Sequence, residues 1–449
     1  MCADFCRLTI LSTLGSLLLS LPPEADGDEV TWPNWRGPAF NGQAAPDADP
    51  PVTWSEDAGV AWTANLQGEG SATPVVWHNK VFVLSAEETS KSSEQPSSKA
   101  DDARTEPPAH YYRFLVSCMD RHTGNEIWQQ TATEQVPHEG KHSTHTYAAG
   151  SPVTDGQRLY ASFSSRGLYC YSLDGELIWQ VDLGDMKTRF GWGEAVTPAL
   201  AGNTLIVNWD QEEGSFITAL SAETGAELWR RDRPGEATSW NTPLITQYDG
   251  RTIAVVNGSG KARAYDVSSG DVLWECGGQT INAIPSPVRF ADSVICMSGY
   301  RGAACLAIPL NATGEVTGTS QIRWSLQSGT PYVPSPLLSQ NRLYFTAGNN
   351  DLLTVVDAET GKLLVEKKRL GIGDVYASPV AAGGHVFLLG RHGTAVVVKD
   401  DGSGEVETMN RLNDTFDASP VAVGRQLLLR GRSKLYSIEN RTTDPDAAR

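Results

Sequence analysis

His138, His142 and His145 stand in the run His-Glu-Gly-Lys-His-Ser-Thr-His, with Glu139 between the first two. Imidazole nitrogens and a carboxylate at this spacing could hold zinc or copper if the loop folded back on itself. The spacing is loose and no cysteine joins the group, so a solvated polar loop is the favoured reading and no metal is expected. Elsewhere the chain is poor in catalytic vocabulary. It contains no GxSxG, HExxH or phosphate-binding GxxxxGK[ST]. Adjacent cysteines and the haem-attachment pattern CxxCH are also missing.

A second set of candidates emerges only from a repeat. A Ser/Thr-Pro pair followed by apolar residues occurs eight times: Thr73-Pro74, Ser151-Pro152, Thr197-Pro198, Thr242-Pro243, Ser286-Pro287, Ser335-Pro336, Ser378-Pro379 and Ser419-Pro420. The proline spacings are 78, 46, 45, 44, 49, 43 and 41, and only the first is anomalous. Each pair opens a unit with four short apolar runs separated by turn residues. In the second unit these runs are SPVT, RLYASF, GLYCYSL and LIWQVDL, divided by Asp155-Gly156, Arg166-Gly167 and Asp174-Gly175. Alternating runs of this length read as strands. Four antiparallel strands in some 45 residues is one blade of a β-propeller.

The last run of most units carries tryptophan after a turn: Trp128, Trp179, Trp229, Trp274 and Trp324. The sixth unit has Val365 there, and the seventh is degenerate. A flat ring at one fixed place per sheet can pack between neighbouring sheets. The eighth unit stops after three strands, whereas GVAWTANL, centred on Trp62, is a fourth strand without a blade. Joining them predicts an all-β, eight-bladed propeller closed by an N-terminal strand, which leaves no open edge.

In that architecture the residues just before each opener surround the central channel. They include Glu69, Glu194, Trp240, Asn241, Asn282, Tyr332, Tyr376 and Asp417. Aromatic and acidic groups converging on one axis could hold a flat or polar ligand, although rim residues of mixed character also serve simply to meet water. Glu194, Asn282 and Asp417 could together offer oxygen ligands to Ca²⁺.

Cys296 and Cys305 lie on the two arms of one hairpin. With its turn centred between Tyr300 and Arg301 they oppose one another within disulfide reach. A one-residue change of register puts them on opposite faces.

Expected boundaries follow. Residues 1–25 read as an export signal, with Arg7 ahead of an apolar stretch from Leu8 to Leu21 that is short for a membrane span. Residues 26–57 form an N-terminal extension and 58–440 the propeller. The polar, Pro/Ser-rich segment 87–109 is expected to be a disordered insertion, and 441–449 a frayed tail. No later segment is apolar enough to cross a membrane. The net charge of -17 disfavours nucleic-acid and anionic-lipid partners.

The repeated turn-and-tryptophan pattern, as in ALSAETGAELW and AYDVSSGDVLW, resembles the pyrroloquinoline-quinone (PQQ) type propeller repeat over residues 30–440. The segment Trp32 to Pro38, WPNWRGP, is similar to the entry signature of secreted bacterial members. That repeat occurs in quinone-dependent dehydrogenases and in the propeller lipoprotein of the outer-membrane β-barrel assembly machinery. The resemblance therefore implies two functions. The leading expectation is a monomeric, noncatalytic scaffold, periplasmic or secreted, that binds protein or peptide in the cell envelope and needs no cofactor. The alternative is an alcohol or sugar dehydrogenase using PQQ and calcium.

Overall fold

A computed structural model describes residues 30–94 and 102–439. They form eight antiparallel sheets, one per repeat, arranged around an axis as an eight-bladed propeller. In the second blade the strands are Val153–Thr154, Arg158–Ser162, Leu168–Ser172 and Leu177–Val181. Burial follows position in the blade. Middle strands such as Thr204–Trp209 are covered on both faces, because each sheet is sandwiched between two others. The outermost strand Glu227–Asp232 buries only Trp229.

Closure is as the orphan strand predicts. Val60–Asn65 pairs antiparallel with Lys434–Glu439 as the outermost strand of the eighth blade, with Trp62 opposite Ser437. The expected export signal and C-terminal tail lie outside the described residues.

The repeated tryptophan is coupled to the turn of the next blade. Indole N–H groups donate to main-chain carbonyls there: Trp62 to Arg121, Trp128 to Leu173, Trp179 to Ala222, Trp229 to Val267 and Trp324 to Ala358, at 2.8–3.1 Å. The turn glycine lies under the same ring. A Cβ on Gly225 would sit 2.8 Å from Trp179, and Gly225 also needs φ +73, so two constraints select glycine at one place. Where Val365 replaces tryptophan, Gly404 of the next blade packs against the valine. Trp274 breaks the pattern. It is fully buried with an unpartnered N–H. The blade that follows has a longer excursion instead of the tight turn, and part of it, Gly314–Glu315, returns to pair in parallel with Val272–Gly277.

Two expectations need correction. The segment 87–109 is not simply a disordered loop. Glu87–Ser92 continue the strand Lys80–Ser92, which pairs with His110–Asp120. The described residues beyond it dock on the loop between blades 2 and 3: the Arg104 N–H donates to the Phe190 carbonyl, and its guanidinium lies 4.0 Å from the Phe190 ring centre. Polar strands can form here because the hairpin extends past the core into water, where backbone pairing suffices. The disulfide also fails. Met297, not Cys296, opposes Cys305, and Cys296 opposes Leu306. The hairpin is centred on Arg301, which adopts a left-handed φ of 50. That half-residue shift sends the two thiols to opposite faces, into different interblade cores, and both are free.

Candidate ligand site on the propeller axis

The eight opener residues build a belt around the axis. The backbone N–H of one opener donates to the hydroxyl of the next, as from Thr73 to Ser151 and from Ser419 to Thr73, in seven hydrogen bonds of 2.9–3.0 Å. Proline is tolerated beside each opener because it immediately precedes the first strand of the blade, outside the ladder. At the remaining junction the Thr242 hydroxyl accepts instead from the Trp35 indole, at 3.0 Å.

Trp35 belongs to the WPNWRGP segment, which crosses one end of the channel. Thr31–Trp32 adds a strand to the inner edge of blade 1. Arg36 is buried beneath the belt and donates to the carbonyls of Pro336, Pro379 and Asn41. Ala44 and Gly42 exchange backbone hydrogen bonds with Ala381. The extension thus forms a floor joining blades 1, 4, 6 and 7.

Above this floor lies a cavity of about 470 Å³, within the range of small-molecule sites. Six aromatic residues line it: Trp35, Trp192, Trp240, Tyr300, Tyr332 and Tyr376. His142, His145 and Asp417 share the lining with seven of the eight openers. The Trp240 indole donates to the Gly193 carbonyl at 2.8 Å. The Tyr332 ring centre is 4.9 Å from that of Tyr300. Burial first, and then Tyr300, push the Tyr332 phenol up to about 12, while the adjacent Asn282 carboxamide opposes the shift. Arg391 stacks 4.2 Å from the Tyr376 ring centre and pairs with Asp417 at 2.5 Å.

Of the eight residues expected at the channel, Trp240, Tyr332, Tyr376 and Asp417 line the cavity. Asn241 points back into its blade and clamps the Asn257 backbone through both amide atoms. Asn282 is buried at a left-handed φ of 57, behind Tyr332. Glu69 is largely exposed and sits 3.7 Å from Arg432. Glu194 turns aside to accept from the Ser165 N–H and hydroxyl. Desolvation raises its carboxyl to about 8.

Of the six aromatic lining residues, three were not among the eight: Trp35, Trp192 and Tyr300. Trp192 lies two residues before Glu194, in the same connection to an opener, so only the chosen offset hid it. Tyr300 comes from a hairpin tip, and Trp35 from a segment outside the repeat.

The histidines do not gather. His138 faces Asp185 at 3.2 Å. His142 meets the Thr144 hydroxyl at 2.8 Å. His145 bonds the Glu194 carbonyl at 2.9 Å, and burial lowers its pKa to about 4.

The expected calcium set does not fit either. Asp417 is paired with Arg391 and, at 3.5 Å, with Arg432, Glu194 favours its protonated form, and Asn282 is buried with neither carboxamide atom hydrogen-bonded among the described residues. A hard dication needs several free anionic or carbonyl oxygens on one point, and of these three only Asn282 offers an uncommitted oxygen.

Comparison with known proteins agrees with the fold. The family model described as outer membrane protein assembly factor BamB matches residues 113–361 and 310–443. The outer membrane protein assembly factor BamB of Yersinia pestis is 23% identical over 331 residues, covering 71% of this chain and 78% of that protein. Among solved structures, BamB from Moraxella catarrhalis superposes with a TM-score of 0.54 at 14% identity, covering 78% of this chain and all of that one. A europium-containing methanol dehydrogenase gives 0.60 at 11% identity, covering 90% and 89%. At these identities the two structures speak for the fold alone. The family match spans most of the propeller, and the chain belongs to the BamB family of PQQ-type repeat propellers.

Proposed function

We propose that this chain is an exported, noncatalytic scaffold of the cell envelope that binds protein or peptide partners. The observation that carries the reading is the match of residues 113–443 to the outer membrane assembly factor family. The axis supports it too: Asp417, the acid on the cavity wall, is held between Arg391 and Arg432. No described helix is long and apolar enough to cross a membrane.

The dehydrogenase alternative draws on the likeness to a methanol dehydrogenase fold and is weakened by the mismatch of the calcium ligands. Two measurements separate the readings. The purified full chain, supplied with PQQ and Ca²⁺, is assayed for dye reduction with alcohols and sugars. Protein cross-linked in its native host is then isolated from envelope and cytosol fractions. The scaffold reading expects no turnover and defined envelope cross-links. Stoichiometric PQQ uptake with substrate oxidation overturns it.

A further inference from the structure

The axial cavity combines three surfaces. Its walls are aromatic, but the rings do not form a parallel slot: Trp192 and Tyr300 meet at 82° and Tyr300 and Tyr332 at 34°. They make a rounded cup. Its belt consists of opener hydroxyls whose oxygens already accept backbone N–H groups, so each retains its proton for donation inward. One cation beside the cavity stands without a counter-ion: the chain carries -17, yet Arg189, next to the lining residue Tyr332, makes no ion pair among the described residues. Arg189 acts electrostatically on Tyr332, and its Nε is buried without a hydrogen-bond partner. Asp417, the acid on the wall, is held between two guanidiniums.

These surfaces select a ligand class. A cation meets the unpaired Arg189 and a carboxylate that is already occupied. A purely apolar molecule strands the hydroxyl donors of the belt. A flat heteroaromatic gains most from parallel faces, which the crossed rings withhold. A sugar ring offers C–H faces to a curved aromatic wall and many acceptor oxygens to a ring of donors. A carboxylate on it answers Arg189. We propose that the axial cavity binds an acidic saccharide, a pyranose or short chain bearing a uronate carboxylate. The hydroxyl belt faces its ring oxygens, and Arg189 pairs with its acid. The site stands independently of the partner-binding reading above.

The test uses the purified full chain and three probes: digalacturonate, the neutral disaccharide cellobiose, and PQQ. Binding is read by tryptophan fluorescence and calorimetry. Saturable binding of digalacturonate is expected, at least tenfold tighter than cellobiose and weakened severalfold between 50 and 500 mM salt. Arg189→Gln should weaken it about tenfold while leaving the melting temperature unchanged. Trp240→Ala should abolish it, and Arg189→Gln covers the case in which Trp240→Ala fails to fold. Absence of saturable binding, equal affinity for cellobiose, an indifferent Arg189→Gln protein, or PQQ as the tightest probe each overturns the proposal.

Discussion

The indole N–H of Trp62 donates to the carbonyl oxygen of Arg121 at 3.0 Å, joining the last blade to the first. A Cβ on Gly124 would lie 2.4 Å from the same ring. The ring closes with the same tryptophan-on-glycine contact used between internal blades, so the velcro strand is held by its side chain as well as by its backbone ladder. Trp62→Ala should cost about 3–4 kcal/mol, the usual range for losing a large packed aromatic. Gly124→Ala meets both the ring and a φ of +72, and should cost about 1–3 kcal/mol. Denaturant unfolding measures both. A Trp62→Ala protein of wild-type stability would show that closure rests on the backbone alone.

The blade number, the closing strand and the interblade packing of the tryptophans were legible in the sequence, because they depend on patterns that recur; the indole-to-carbonyl bonds were not, and Trp274 departs from them. A register error in one unit is corrected by seven others. The cavity was half legible for the opposite reason. Trp240, Tyr332, Tyr376 and Asp417 sit two or three residues before an opener, whereas Trp35 comes from a segment outside the repeat and Tyr300 from a hairpin tip. The cysteine pair failed on a half-residue displacement of a single turn, set by the left-handed φ of Arg301, and no periodicity could fix that.

The five described cysteines should therefore all titrate as free thiols in denatured, unreduced protein. In the native state they should be nearly inert at pH 8. Burial pushes Cys118 and Cys170 up to about 12 and Cys276 up to about 11, and raises Cys296 and Cys305 further, so little nucleophilic thiolate exists. Alkylation followed by mass spectrometry decides the matter. Protection of Cys296 and Cys305 in denatured protein would restore the disulfide.

Stability should fall between about pH 6.5 and 8.5. Desolvation raises Glu139 to about 7 and Glu194 to about 8, from an ordinary 4.5. The native state then holds protons that the unfolded chain has lost. This stabilisation is complete below the unfolded pKa and is lost as pH rises through the folded values. His138 and His145, with lowered pKa values, act in the opposite direction only below about 6.5, which sets the lower edge of the window. The melting temperature should drop a few degrees across it. The slope should flatten in Glu194→Gln, whose amide can still accept from Ser165. An unchanged slope in Glu194→Gln and Glu139→Gln would assign the pH dependence to other groups.

The floor of the channel offers the sharpest comparison, because Trp35 and Arg36 are neighbours with different duties. Trp35 gives one neutral hydrogen bond to Thr242 from a partly exposed ring. Trp35→Phe keeps most of the ring and loses one donor, so the cost should be about 1 kcal/mol. Arg36 is buried, lacks a carboxylate partner, and satisfies carbonyls of Pro336, Pro379 and Asn41. Burial lowers its pKa to about 9, which reflects the cost of holding a guanidinium out of water. Arg36→Met removes that cost but leaves buried carbonyls of blades 6 and 7 unpaired. The unpaired acceptors should outweigh the relief, for a net loss of about 2–4 kcal/mol. Arg36→Lys should fall between wild type and Arg36→Met, because an ammonium cannot span several carbonyls as the planar fork does. Denaturant midpoints of the three variants give the order directly. If Arg36→Met is as stable as wild type, the extension lies on the propeller without bracing it.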